Sequence, residues 1–221
     1  MRLYHLLSTR FGLDDLKHRQ LKIAQISDLN DPFELVAADN SDAIQRQILR
    51  GWRREFERKW GVLCFSKSWR NPLLWSHYAD KHKGMCLGFD ISAEYLLPIR
   101  YQSKRIQVDL VQSYDQGSLN VKFMNRMLRT KFRDWSYEKE VRVPVELKEI
   151  DEKTGLYFYN FSTDLRLKEI IVGPLCSASE SDIQNALSND DLSVKVVKAR
   201  LAFQSFTVVK NRKGFGDSVG T

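Results

Sequence analysis

Charged and apolar side chains alternate along residues 138–145, and this alternation strongly constrains the local structure of the chain. Valines fall at positions 141, 143 and 145, while Glu138, Glu140 and Arg142 occupy positions of the opposite parity. In a β-strand, successive side chains point to opposite faces. The segment therefore predicts a strand that has one apolar face and carries two carboxylates and a guanidinium on the other.

Short apolar runs that predict strands outnumber the helical patterns along the rest of the chain. Strands are predicted at 2–7, 21–26, 62–66, 84–90, near Ile99, and at 106–111, 140–147, 156–161, 169–172, 194–197 and 203–209. Helices are predicted at 12–19, 41–60, 72–78, 118–132 and 179–187. Few strand–helix–strand units follow one another, which favours an α+β fold over a doubly wound parallel sheet. We expect one domain over residues 1–210 and a disordered tail at 211–221.

Composition indicates a globular protein of the cytoplasm. With 221 residues and 43% hydrophobic content, the chain is long enough to bury a core. It has no apolar run near the ~20 residues that span a membrane, and its first residues turn polar too early for a signal peptide. Cys64, Cys86 and Cys176 are far apart and lie in apolar runs, which is typical of buried thiols rather than of a zinc site or a disulfide framework.

A basic stripe lies along the helix predicted at 41–60. Its arginines are Arg46, Arg50, Arg54 and Arg58, with Arg53 beside them. The opposite face of the same helix carries an apolar stripe of Ile44, Ile48, Trp52 and Phe56. With the formal charge of +7, such a stripe suits a nucleic-acid backbone. An ordinary solvent-exposed helix face with i,i+4 ion pairs would show the same pattern of arginines.

Several other side chains have both a structural and a functional interpretation. His5 lies in the first strand, where it either bonds to backbone or donates to a ribose or phosphate. Trp75 and Tyr78 share a helix face, so they either pin the helix to the core or stack on a base or nicotinamide ring. If residues 138–142 face a cleft rather than solvent, Arg142 can hold one carboxylate while the other bonds a ribose hydroxyl. The sequence has no phosphate-loop, dinucleotide-binding or zinc-protease motif, and we expect no metal cofactor.

Motifs spread over about residues 3–175 resemble a bacterial family known as domain of unknown function 2971. The matching segments are Leu3-Tyr4, Asn30-Asp-Pro-Phe-Glu34, Cys64-Phe-Ser66, Trp75-Ser-His-Tyr78, Lys83-Gly84, Gly88-Phe-Asp90, Trp135, Tyr137-Glu-Lys-Glu-Val-Arg142 and Lys168-Glu-Ile-Ile-Val-Gly173. This resemblance names no activity.

A second resemblance is to the ADP-ribosyltransferases, and it is carried by Tyr4-His5, by Phe65-Ser66 and by Glu138-x-Glu140. It implies two packed, twisted, mostly antiparallel sheets with flanking helices. It also implies an NAD site in which Tyr4 and His5 orient NAD, Ser66 supports the pocket, and Trp75 or Tyr78 stacks. In that site Glu140 stabilises the oxocarbenium ion and Glu138 positions or activates the acceptor, or the two glutamates exchange these roles, since the sequence does not show which of them reaches the ligand. The middle strand reads Cys-Phe-Ser-Lys-Ser, which departs from the Ser-Thr-Ser form of that group.

The function implied is cleavage of NAD at the nicotinamide–ribose bond and transfer of ADP-ribose to a macromolecule, either nucleic acid or protein; an NAD glycohydrolase, which transfers ADP-ribose to water, is the other enzyme of this kind. A toxin or phage-defence role would suit such an activity. The alternative is a non-catalytic protein that binds nucleic acid through the stripe from Arg46 to Arg58. The sequence leaves the oligomeric state undetermined.

Overall fold

The computed structural model describes residues 1–188 and 193–215. The strands are β1 (Arg2–Leu7), β2 (Gln20–Lys22), β3 (Trp60–Ser66), β4 (Met85–Ile91), β5 (Leu97–Pro98), β6 (Arg100–Gln102), β7 (Thr130–Phe132), β8 (Glu140–Glu146), β9 (Phe158–Asn160), β10 (Leu165–Val172), β11 (Lys195–Leu201) and β12 (Val208–Lys210). The helices are α1 (Thr9–His18), α2 (Ala43–Lys59), α3 (Pro72–Tyr78), α4 (Leu110–Asp115), α5 (Val121–Leu128) and α6 (Glu180–Ala186). Short 3₁₀ turns cover Ile26–Asp28, Ala93–Tyr95 and Arg133–Glu138.

The chain forms two compact units, each assembled from separate stretches. Unit 1 takes the described residues of Met1–Leu21, Phe65–Glu94 and Tyr159–Thr221, and unit 2 takes Lys22–Cys64 and Tyr95–Phe158. Unit 1 contains a large, mostly antiparallel sheet in the strand order β12-β11-β10-β4-β1. Only the β10–β11 pair within that order is parallel.

The side chains of β1 alternate between the two faces of the sheet, as in any strand. Tyr4 and Leu6 pack against the apolar cluster of unit 1, which contains Trp75 of α3. His5 points the other way, and its ring meets the edge of Phe65 at a centroid distance of 5.8 Å. The apolar cluster of unit 1 is therefore covered by α3 on one side of the sheet.

Unit 2 has its own core, built around α2. Asp42 caps this helix by accepting from the backbone N–H groups of Ile44 and Gln45. Leu49 and Phe56 are buried in a cluster with side chains of α4 and α5. Ile44, predicted to belong to the apolar stripe, is 60% exposed because the buried face is rotated toward Leu49. Two strand pairs complete unit 2, β5 with β8 and β6 with β7.

The structure confirms a mixed α+β fold with a large, mostly antiparallel sheet and several helices. The packing of two sheets and the single domain at 1–210 stay predictions. Of the predicted disordered tail at 211–221, residues 212–215 form a turn and residues 216–221 lie outside the described residues. No helix in the described part of the chain is long and apolar enough to cross a membrane.

Four secondary-structure predictions were wrong in part. The strand predicted at 21–26 ends at Lys22, and a 3₁₀ turn begins at Ile26. Of the strand predicted at 106–111, only an isolated bridge between Ile106 and Ala38 forms, and helix α4 begins at Leu110 because the Asp109 side chain accepts from the Gln112 N–H and caps the helix. The helix predicted at 118–132 ends at Leu128, and its last residues form β7 beside β6. The strand predicted at 203–209 is an exposed turn that leads into the short β12.

Candidate functional site

A tight turn in unit 2 directs Glu34 into the protein. The Asp31 carboxylate accepts from the Phe33 N–H at 2.9 Å, and the Asp31 carbonyl accepts from the Glu34 N–H at 3.0 Å. Leu35 follows with φ 57°, a left-handed conformation that is uncommon for a residue with a side chain. The turn therefore leaves Glu34 only 2% exposed.

Lys131 of β7 gathers three carboxylates. Its Nζ donates to Glu138 Oε2 at 2.6 Å and to Glu140 Oε2 at 3.1 Å, and lies 3.6 Å from Glu34 Oε1. Glu138 ends a 3₁₀ turn, and Lys139 then adopts φ 47° before β8 begins at Glu140. This reversal of the backbone allows both neighbouring carboxylates to reach the same ammonium group.

Arg142 bonds to two of these three carboxylates, Glu34 and Glu140. Its guanidinium donates to both oxygens of Glu34, from Nη1 at 2.7 Å and from Nη2 at 2.6 Å. It also donates to both oxygens of Glu140, from Nε at 2.7 Å and from Nη2 at 3.1 Å. Such two-pronged pairs fix geometry as well as charge. Arg142 has no exposed surface, so these partners replace its water.

We call this set the buried ionic network. Its members are Glu34, Lys131, Glu138, Glu140 and Arg142, and all of them are buried. Three carboxylates face two cations, so the formal charges sum to one negative charge. Trp135 adds its ring, whose centroid lies 5.0 Å from Lys131 Nζ.

The network sets the pKa values of its members. Burial alone disfavours the Glu140 carboxylate, but Arg142 and then Lys131 outweigh burial and lower the pKa of Glu140 to about 2. Burial also opposes the charge of Lys131, yet Glu140, Glu34 and Glu138 together raise its pKa. Burial raises the pKa of the nearby Tyr101 to about 12, and the Tyr101 hydroxyl accepts from the Glu140 N–H at 2.7 Å.

A cavity of about 290 Å³ in unit 2 reaches two members of the network, Glu34 and Lys131. The other lining residues are Asp31, Phe33, Val36, Ala37, Gln102, Ser103, Lys104, Arg105, Thr130 and Phe132. Phe33 and Phe132 are exposed by 54% and 46%. The cavity therefore combines aromatic rings, basic side chains and two carboxylates, which are groups that recognise a nucleotide.

Sequence reasoning found part of this site and missed the part that lines the cavity. The structure brings Glu138, Glu140 and Arg142 together as expected, but Glu138 belongs to a 3₁₀ turn and not to the predicted strand. Glu138 and Glu140 are one contact removed from the cavity, since both bond to Lys131. Glu34 was not singled out, although it stands in the Asn-Asp-Pro-Phe-Glu segment that carries the family resemblance.

Two further predicted site residues, Tyr4 and Ser66, are register partners in unit 1, on β1 and β3. The Tyr4 hydroxyl donates to Glu169 at 3.5 Å, and burial raises the pKa of Tyr4. The buried Ser66 hydroxyl donates to the Ser68 carbonyl at 2.9 Å and accepts from the Ser68 N–H at 3.2 Å. Ser66 thus shapes the turn after β3, and its contribution to an NAD pocket stays a prediction, as does that of His5.

Trp75 and Tyr78 both lie on α3, in different surroundings. Trp75 is fully buried, and its indole N–H donates to the Trp69 carbonyl. This placement favours the interpretation that Trp75 pins the helix to the core. Tyr78 is half-buried, with its ring tilted against His77 at a centroid distance of 6.1 Å.

The predicted basic stripe lies on the outer face of α2. Arg46, Arg50, Arg54 and Arg58 are exposed, and Arg53 is half-buried beside Glu57 at 2.8 Å. Arg58 pairs with Glu55. Arg46, Arg50 and Arg54 instead donate to backbone carbonyls of α2 or of the turn before it.

Comparisons with known proteins add no relative: no family model, no curated protein and no solved structure matches the chain. The family resemblances described from the sequence therefore stay predictions. Within residues 1–188 and 193–215, no group of three or more His, Cys, Asp or Glu side chains is placed to hold a metal ion.

Replacing Arg142 by methionine tests the buried ionic network. We expect Arg142→Met to lower the free energy of unfolding by about 3–5 kcal/mol, because it leaves Glu34 and Glu140 buried without their main partner. Arg58→Met, which breaks the exposed pair with Glu55, is the matched control and should cost less than about 1 kcal/mol. Urea denaturation measures both. Equal costs for the two variants would contradict the structural role of the network.

The lowered pKa of Glu140 predicts an acid-dependent loss of stability. Because the pKa in the folded protein, about 2, is below the usual 4.5, the contribution of the ionised carboxylate is complete above pH 4.5 and is lost as the pH falls toward 2. The stability difference between wild type and Glu140→Gln should therefore shrink across this range in denaturation measured at several pH values. A difference that stays constant down to pH 2 would rule out this assignment.

Proposed function

We propose that the chain cleaves NAD at the nicotinamide–ribose bond and transfers ADP-ribose to a macromolecule, as the resemblance to ADP-ribosyltransferases implies. The observation that carries the proposal is the cavity of unit 2, whose wall holds Glu34 and Lys131 of the buried ionic network. The network has a formal excess of one negative charge. The Glu34 carboxylate, held in place at the cavity, favours the cationic nicotinamide ring and the oxocarbenium ion that forms when nicotinamide leaves.

Different lining residues of the cavity suit different parts of the NAD molecule. At about 290 Å³ the cavity is at the small end for ligand sites, so it takes the nicotinamide ribose. The exposed ring of Phe132 offers a face for stacking, and the exposed ring of Phe33 already has the Arg105 guanidinium 5.1 Å from its centroid. Lys104 and Arg105 are exposed at the same cavity and suit the pyrophosphate, which carries negative charge.

The reaction needs one bond broken and one bond formed. The C–N bond between ribose and nicotinamide breaks, and its electron pair leaves with neutral nicotinamide. The ribose cation then bonds to a hydroxyl or nitrogen of the acceptor, which releases a proton. In this proposal Glu34 faces the cation, and Arg142 holds Glu34 in place through its two hydrogen bonds. Glu138 and Glu140 act as positioning residues through Lys131 and Arg142.

A second candidate function is nucleic-acid binding by α2, and one observation favours it. Arg46, Arg50 and Arg54 lie on an exposed helix face. In the contacts of the described residues, their guanidinium groups bond to backbone carbonyls and not to carboxylates. Their charges are therefore available to phosphates. The two candidates are compatible, because nucleic acid is one of the acceptors that the transferase would use.

Glu34→Gln tests the transferase. We expect wild-type protein supplied with NAD and cell lysate to release nicotinamide, and Glu34→Gln to release it about 100-fold more slowly, because a preorganised charge is lost. Glu146→Gln, which changes an exposed carboxylate at the other end of β8, is the matched control and should keep the wild-type rate. Chromatography of nicotinamide and labelling with radioactive NAD are the measurements, and a melting curve of each variant verifies folding.

Two outcomes would contradict the proposal: the first refutes the transferase, and the second refutes its placement at this cavity. One is no nicotinamide release by folded wild-type protein. The other is equal release by Glu34→Gln and wild type, which would place the chemistry away from this cavity.

Charge reversal on α2 tests the second candidate. We expect Arg50→Glu/Arg54→Glu to weaken binding of duplex DNA or RNA and to reduce its dependence on salt, because two phosphate contacts become repulsive. The control Lys67→Glu/Lys81→Glu makes the same change in net charge at exposed positions of unit 1. Electrophoretic mobility shifts at several salt concentrations measure the effect. Equal weakening by both double variants would show only a response to net charge.

A further inference from the structure

The basic excess of the chain is concentrated in one segment of unit 1. Residues 193–215 contain six basic side chains and no acidic one, whereas the whole chain has a formal charge of +7. The basic residues of this segment are Lys195, Lys198, Arg200, Lys210, Arg212 and Lys213. The rest of the chain is therefore close to neutral, with a formal charge of +1 by difference.

Two of these six cations have partners within unit 1. Lys195 lies 3.7 Å from Glu169, and Lys198 Nζ donates to the carbonyls of Gly173 and Cys176 at 2.9 and 2.7 Å. Lys210, Arg212 and Lys213 are exposed at and after the end of β12. Together with Arg200 on β11 they form the positive part of the surface.

Two phenylalanines project from the turn that joins β11 to β12. Phe203 is 89% exposed and Phe206 is 97% exposed. The turn is ordered by hydrogen bonds, since the Ala202 N–H donates to the Thr207 carbonyl at 2.9 Å and the Ser205 and Thr207 hydroxyls lie 2.8 Å apart. The rings are therefore held out by the backbone and are not packed on a core.

Arg200 supports one of these rings. Its guanidinium carbon lies 4.2 Å from the centroid of Phe203, and its Nη1 donates to the Leu201 carbonyl at 2.9 Å. An aromatic ring with a guanidinium beside it, on a strand with further cations, is the combination by which proteins bind unpaired bases and their phosphates.

We propose that the β11–β12 hairpin is a binding surface for single-stranded nucleic acid, in which Phe203 and Phe206 stack on bases and Arg200, Lys210, Arg212 and Lys213 contact the phosphates. This surface is separate from the arginine face of α2 and does not depend on NAD cleavage. Charge complementarity selects the ligand, because the segment has cations only and a nucleic-acid strand presents one phosphate per base.

The chemistry of the turn disfavours a lipid membrane as the partner. Gln204 and Ser205 lie between the two phenylalanines and are exposed. Insertion of the rings into a bilayer would carry these polar groups, and the guanidinium at Phe203, away from water at a cost. Stacking of the same rings on bases avoids that cost, because the polar groups of the turn stay in contact with water.

Fluorescence anisotropy with a labelled single-stranded oligonucleotide of about 20 nucleotides, longer than one such site, tests the proposal. We expect Phe203→Ala/Phe206→Ala to weaken binding at least about tenfold, because each stacked base is lost. The melting temperature should not change, since both rings are exposed. Phe11→Ala is the matched control, because Phe11 is also exposed, at 61%, with the Arg10 guanidinium 5.9 Å from its ring.

A second variant tests the phosphate contacts independently of the rings. Lys210→Ala/Arg212→Ala/Lys213→Ala should reduce the slope of log affinity against log salt by about 2, the value for three lost contacts to a single strand.

Several results would overturn the proposal. They are no binding of the oligonucleotide, undiminished binding by Phe203→Ala/Phe206→Ala, and equal binding of duplex and single strand. A hairpin that instead binds phosphatidylserine–phosphatidylcholine vesicles, and loses them with the two phenylalanines, would assign it to a lipid surface.

Discussion

The Arg142 guanidinium is the interaction on which the interior of unit 2 depends. It is fully buried, and it binds both oxygens of Glu34 and both oxygens of Glu140. A buried cation is tolerated only when such partners replace its water, and a buried carboxylate has the same requirement. Arg142, Glu34 and Glu140 therefore stabilise one another's charges, and Lys131 extends the arrangement to Glu138. The same contacts fix the turn that carries Glu34 relative to β8.

This arrangement gives the cavity of unit 2 a charged wall that cannot easily reorganise. Glu34 and Lys131 line the cavity, but their partners lie in the protein interior. A carboxylate held on both oxygens keeps its position as a ligand enters, and preorganisation of this kind is what electrostatic catalysis requires. The exposed Phe33 and Phe132 at the same cavity add surfaces for a flat ring. The proposed NAD chemistry follows from this combination of a fixed charge and aromatic rings.

Local signals in the sequence predicted local structure well and the site only in part. Pro72 at the first helical position and Asn71 as its cap give α3 the predicted bounds. The alternation of valines correctly gives β8 from residue 140, but the same reasoning placed Glu138 on that strand, because a period of two cannot reveal the left-handed Lys139. The pairing of Arg142 with Glu34 joins residues 108 positions apart, and no local pattern encodes such a contact. Likewise, the concentration of basic residues in 193–215 is visible in the sequence, but the exposure of Phe203 and Phe206 is not.

Comparing the affinities of NAD and NADH for the wild-type protein tests the central claim most directly. The two molecules have nearly the same shape, but the nicotinamide ring is cationic in NAD and neutral in NADH. If the Glu34 carboxylate, held at the cavity by the buried ionic network, selects the cationic ring, isothermal titration calorimetry should show NAD binding at least about tenfold more tightly, a difference of about 1.4 kcal/mol. Equal affinities, tighter binding of NADH, or no binding of either would contradict the account.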